Sequence, residues 1–385
     1  EATPDPMVAP KDRAQHHIVR VGVKARDLAA DQRKPAHLTF LVDTSGSMQE
    51  DNRIGKVKDA LKVLVENLRE KDTVSLVTYA GDARIVLSAT GPSQRARLIQ
   101  AIDDLTVGGA TAMQEGLDLA YRSAAMGFVR GDINRVIVLS DGIANVGATN
   151  HEQMLTTIRR HIDKGITLST IGVGTTSYKD KLMEQLADNG DGNYYFIDSY
   201  DEIERVFLEQ VDGTLQVVAK DAKVQVNFDK RKVKSFRLLG YENRALKEED
   251  FKDDTVDSGE VGAGHEVTAL YAVTLHPKRT LDAALSVSLR YRGDDNKSHE
   301  QISILKPEDV RTLDAASAAH RFALGVAAFA EILRDSKSGK KLHFDTFHTL
   351  MMQGDGGQFI EEDARKLEFV ELYTKVWGLL GCGTP

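Results

Sequence analysis

Cysteine is nearly absent: Cys382 is the only one among 385 residues. An intrachain disulfide is therefore excluded, and so is any cysteine-based zinc site. Long apolar runs are missing too. The longest, Phe322 to Ala330, falls far short of the roughly 20 residues that span a bilayer. Positive charge is in deficit, with 50 Lys and Arg against 58 Asp and Glu, a net charge of −8. That is the wrong sign for a general binder of nucleic acid or anionic membrane. No signal peptide is recognisable, and the first residue is Glu1 rather than methionine, so a processed or trimmed product is expected.

Several catalytic signatures are also missing. Gly172-Val173-Gly174 lacks the third glycine of a dinucleotide fingerprint, and His151-Glu152 lacks the second histidine of a zinc-protease motif. There is no P-loop lysine motif and no Gly-x-Ser-x-Gly elbow. Asp188-Asn189-Gly190-Asp191-Gly192-Asn193 looks like a calcium loop but has neither the full alternation nor the closing glutamate, and it reads as a turn.

What is present is an ordinary folded composition, 41% hydrophobic and 28% charged, enough for at least one sizeable core. Residues 1–14, rich in proline and charge, read as a loose arm. His17 to Val23 alternates as a short strand. From Leu38 onward, buried-strand runs alternate with helical patterns: Leu38–Val42, Val74–Tyr79, Arg84–Leu87, Arg135–Leu139, Ile166–Val173 and Tyr194–Ile197, closed by a helix from about Asp201 to Gln210. Repeated strand–helix units predict a doubly wound, mostly parallel α/β sheet of the Rossmann-like kind over 36–212.

The period changes after Gly213. Five stretches between Lys223 and Leu305 alternate at period two between Gly- and Asp-rich turns, which predicts an antiparallel β-sandwich module over 213–310. The early strand, within 15–35, has no neighbour of its own and is expected to join this module. The α/β unit would then be inserted in it. A helical segment over 311–385 follows, with Phe322, Val326, Phe329 and Leu333 expected on one packing face and a second helix from about Phe359 to Leu380.

The stretch that carries chemistry is Asp43-Thr44-Ser45-Gly46-Ser47, where the first buried strand ends. Open α/β sheets bind ligands outside the carboxyl ends of their strands. Spacing of two on a tight turn can aim one carboxylate and two hydroxyls at one point. Thr111, in Gly108-Gly109-Ala110-Thr111, and Asp141, in Ser140-Asp141-Gly142, lie at the ends of other elements. All are hard oxygen donors, suited to Mg²⁺, Mn²⁺ or Ca²⁺. Taken singly, the same residues also suit helix caps and Asx turns.

The ordered set Asp43, Ser45, Ser47, Thr111 and Asp141 resembles the metal-ion-dependent adhesion site of von Willebrand factor type A (VWA) domains. The segments Arg237–Arg244 and Gly262–Tyr271 resemble the C-terminal region of a bacterial subfamily of such proteins, which includes members labelled Ca-activated-channel-like. The resemblance implies a non-enzymatic, extracytoplasmic protein of the bacterial cell envelope. Its divalent cation would capture an Asp or Glu of a protein partner, and a monomer is the default. Two departures alter the surface beside the metal: Ala112-Met113-Gln114 after the Gly-rich loop, and Ile143-Ala144 after Asp141-Gly142. An assembly or scaffold subunit is the alternative. A Mg²⁺-dependent phosphotransferase is a further one, although position 45 is Ser where that chemistry wants a second acid.

Overall fold

The computed structural model describes residues 1–28, 32–142, 148–174, 180–204, 206–207, 217–240, 251–252, 261–293, 297–334, 336, 339 and 342–380. Two strands open the chain, β1 (Ala2–Pro4) and β2 (His16–Lys24). There follow β3 (Ala36–Asp43), α1 (Arg53–Glu66), β4 (Thr73–Tyr79), β5 (Ala83–Thr90), α2 (Arg95–Asp103), α3 (Met113–Met126) and β6 (Ile133–Ser140). The α/β part continues with α4 (Ala148–Ile162), β7 (Ile166–Val173), α5 (Asp180–Asp188), β8 (Tyr194–Ile197) and α6 (Tyr200–Glu204). The last of these begins the helix expected to reach Gln210, and residues 208–210 lie outside the described residues.

These six strands form one sheet in the order β5-β4-β3-β6-β7-β8. All neighbours are parallel except β4 and β5. Only Ala80 to Asp82 separate that pair, too few residues for a parallel crossover. Both faces are covered. Leu38, Phe40 and Val42 of β3 pack with α1 and α2, whereas Leu41 turns to the other side with Leu117 of α3, Ile158 of α4 and Met183 of α5. Alternation along a strand buried on both sides is why β3 reads as one continuous apolar run.

The remaining strands are β9 (Val217–Phe228), β10 (Val233–Leu239), β11 (Val261–Gly262), β12 (Glu266–Leu275), β13 (Leu285–Arg292) and β14 (Ser298–Ile304). They form two antiparallel sheets, β1-β2-β12-β10 and β11-β9-β13-β14. The early strand β2 does join this part, pairing with β12 from His16↔Thr274 to Lys24↔Glu266. The α/β sheet is thus inserted between two strands that lie side by side. Val19, Val21, Val273 and Leu275 of the first sheet meet Leu285, Val226 and Val287 of the second. The opposite face, with Ile18 and Leu270, is covered by α7 (Ala318–Leu333), α8 (Phe344–Met352) and α10 (Ala364–Leu379), with α9 (Gly356–Glu361) between the last two.

Three expectations need correction. Residues 1–14 are not loose at their start. Ala2 and Thr3 are fully buried, β1 pairs with β2, and the Glu1 carboxylate accepts from the backbone N–H and hydroxyl of Ser317 at the start of α7. The expected helix from Phe359 to Leu380 is two helices, because Asp363 takes a non-helical backbone and caps α10 by accepting from Arg365 N at 3.0 Å. On α7 the buried face is Leu324, Ala328 and Phe329, while Val326 and Leu333 are exposed. The expected stripe had no phase information, and its rotation is set by where the sheet lies.

Candidate metal centre

Parallel pairing in register brings the ends of β3 and β6 together, with Val42 opposite Leu139. Asp43 is therefore next to Ser140, whose hydroxyl donates to Asp43 Oδ2 at 2.8 Å. Tyr79, the last residue of β4, donates its hydroxyl to the same oxygen at 3.0 Å. Asp43 Oδ1 accepts from Ser45 N at 2.9 Å, an Asx turn that bends the chain away from the strand. Asp43 is fully buried, and burial raises its pKa, opposed by the hydrogen bonds from Ser45, Ser140 and Tyr79. A nearby cation offsets the cost that burial puts on an ionised carboxylate.

Beyond the turn, the Ser45 and Ser47 hydroxyls lie 3.2 Å apart. The Gly-rich loop is tied to this turn from the other side. Gly108 N donates to Thr44 O at 2.8 Å, and Gly46 N donates to Gly109 O at 3.3 Å. Gly109 has φ +90°, and a Cβ there would stand 3.1 Å from the Gly81 nitrogen. Only glycine fits that close approach. Half-buried Thr111 follows two residues later, held near the turn by these bonds and by Ala112 N donating to Ala80 O at 2.8 Å.

Asp141, also buried, follows β6 directly. Its Oδ2 accepts from Arg53 Nη1 at 2.8 Å, and the same nitrogen donates to Ser47 O at 3.0 Å. One guanidinium therefore links the first loop to the third. Reading of the sequence missed Arg53. The available signal was its place at the first position of α1, where a cation opposes the helix dipole. Segment 143–147, which holds the Ile143-Ala144 departure, lies outside the described residues.

The five residues picked from sequence thus sit on three loops at the carboxyl edge of the parallel strands, with hydrogen bonds tying loop to loop. Among the described residues no group of three or more His, Cys, Asp or Glu is placed to hold a metal. The five residues carry two carboxylates and three hydroxyls, hard oxygens only. That set fits a cation such as Mg²⁺ better than a soft metal.

Comparison with known proteins agrees with this architecture. Residues 37–209 match the family described as von Willebrand factor type A domain, and residues 213–379 match the family described as Uncharacterized protein YfbK, C-terminal. The chain joins a VWA domain to a YfbK-type C-terminal region. The Uncharacterized protein YfbK of Escherichia coli (strain K12) is 36% identical over 343 residues, which cover 84% of this chain and 59% of that relative. The chain therefore spans less than two thirds of that relative's length. Among solved structures, von Willebrand factor type A from Catenulispora acidiphila is 17% identical, with a TM-score of 0.48, over 89% of this chain and 83% of that one. Proximal thread matrix protein 1 of the mussel byssus, solved with a zinc-occupied MIDAS motif, is 23% identical with a TM-score of 0.39, over 52% and 48%. Among the described residues no helix is long and apolar enough to cross a membrane.

Proposed function

We propose that Asp43, Ser45, Ser47, Thr111 and Asp141 hold a divalent cation through which this protein binds an acidic side chain of a protein partner. Mg²⁺ is the first choice, with Mn²⁺ or Ca²⁺ as alternatives. The observation that carries the reading is the Asp43 carboxylate. It is buried, bonded by Ser45, Ser140 and Tyr79, and tied through loop-to-loop hydrogen bonds to the other donors.

When bound, the cation would supply an open coordination position for a carboxylate oxygen. The chain's own residues do the rest. Asp43 and Asp141 offset the +2 charge, so an incoming carboxylate meets little net repulsion. The Ser45 and Ser47 hydroxyls, 3.2 Å apart, add neutral donors that do not raise the negative charge further. Tyr79 and Ser140 hold the Asp43 carboxylate in place through Oδ2. With a net charge of −8, the chain as a whole does not steer an acidic partner, and specificity falls to contacts beside the site.

A binding module suits this geometry better than a phosphotransferase. Such a phosphotransferase wants a second acid two residues after Asp43 as general acid, and position 45 is Ser. From the resemblance to the bacterial subfamily we further propose a location outside the cytoplasm at the cell envelope, which protease accessibility in intact spheroplasts checks.

Calorimetric titration of Mg²⁺ and Mn²⁺ into chelator-stripped protein tests the site. Saturable one-site binding lost in Asp43→Ala is the expected result. A partner complex that forms equally well in chelator would replace this reading with that of a scaffold.

A further inference from the structure

We infer that Arg53 sets the affinity of this site for a divalent cation, by holding a positive charge on Asp141 that a metal must displace. The inference rests on the metal-dependent reading above and names a residue that regulates it.

Arg53 is 3% exposed, so its guanidinium is not a surface charge that water screens. An arginine guanidinium is planar, delocalised and positively charged. Its Nη1 holds Asp141 Oδ2 and Ser47 O, the carboxylate and the backbone of two donor residues. Its Nε, although buried, has no hydrogen-bond partner among the described residues. Gly174, just past β7, leaves the room: a Cβ there would sit 3.3 Å from Nε. The cation also stands at the first position of α1, where the dipole disfavours it. Several local costs are thus accepted to keep a charge at this point. A group needed only to fill space or bridge two loops would not have to be cationic.

With Arg53 counted, the two carboxylates offer a net charge of −1 rather than −2 to an incoming metal. A second seat exists for the guanidinium. Glu50, three residues earlier and largely exposed, has Oε2 3.4 Å from Arg53 Nη2. The turn between them is held by two consecutive non-glycine residues with positive φ, Asp51 at 48° and Asn52 at 53°, which keeps Glu50 beside Arg53. Arg53, which already meets Glu50 through Nη2, therefore keeps that partner when Asp141 takes up the metal.

The test compares Mn²⁺ affinity, by calorimetry and by electron paramagnetic resonance of free Mn²⁺, in the full chain and in Arg53→Gln and Arg53→Lys. Removal of the charge in Arg53→Gln is expected to tighten Mn²⁺ binding at least about tenfold. Arg53→Lys, which keeps the charge, should stay within a few-fold of the original. Binding only in Arg53→Gln would support the inference most strongly. Equal or weaker binding in Arg53→Gln overturns it while leaving the metal site standing. No binding in any of the three overturns both. Should Arg53→Gln fail to fold, the Arg53 Nε–Hε signal of the unaltered ¹⁵N-labelled protein decides, with Arg53→Lys assigning it. That signal should shift on Mg²⁺ addition and stay put in Asp43→Ala, and a signal indifferent to Mg²⁺ in the unaltered protein overturns the inference.

Discussion

Asp43 shows how much a single residue depends on its neighbours. Its place in Asp-x-Ser-x-Ser is local and legible, since three donors on one turn need no long-range contact to be recognised. The groups that tune it come from β4 and β6 and carry no sequence signal. Tyr79→Phe removes one hydroxyl donor and should cost about 1–3 kcal/mol. It should also weaken Mg²⁺ binding, because the ionised carboxylate loses support. Denaturant melts with and without Mg²⁺ measure both effects. His320 supplies a second test far from the site. Fully buried and 2.9 Å from the Thr3 hydroxyl, it has its pKa lowered by burial to about 4. The unfolded chain takes up this proton near pH 6.5, and the folded one does so only near 4. Stability is thus complete above 6.5 and declines as the pH falls toward 4, by on the order of 2–3 kcal/mol. Denaturation at pH 7 and pH 4.5 should show the loss, and His320→Gln should flatten the slope.

Among the elements, α3 carries a tight constraint near the site. A Cβ on Gly116 would lie 2.8 Å from Tyr79 Cβ and 3.1 Å from Leu41 Cδ1. Gly116→Ala should therefore destabilise by about 1–3 kcal/mol. Because the clash falls on Tyr79, metal affinity should drop as well, whereas a purely structural cost would leave it unchanged. Long apolar strands and amphipathic helices of the α/β part were legible, since their burial on both faces is written in continuous runs. The three-residue β1 was not. It is a strand only because β2 pairs with it and His320 and Ser317 hold its end. The break between α9 and α10 was missed for a related reason, as Glu362-Asp363 interrupts no apolar period.

At the scale of the molecule, among the described residues no strand of the six-stranded sheet pairs with either antiparallel sheet, and the α/β clusters draw only on residues 36–207 while those of the β and helical parts draw only on residues outside that range. Separate cores predict separate cooperative units. Calorimetric unfolding should show two transitions, and saturating Mg²⁺ should raise only the one that contains Asp43. A single transition that moves as a whole with Mg²⁺ would show the two parts to be coupled. The insertion itself was readable as a strand without a partner at 17–23, and its pairing with β12 spans about 250 residues of sequence.

By itself, the sequence determined the periodicities, the change of period near Gly213 and the five candidate oxygen donors, because each is read from residue type and order along the chain. Tertiary structure alone decided what surrounds those donors. The Tyr79 and Ser140 hydroxyls reach Asp43, and the Arg53 guanidinium reaches Asp141, only once strands far apart in the chain lie side by side. Buried electrostatics is set by distance in space, and a linear pattern does not record it.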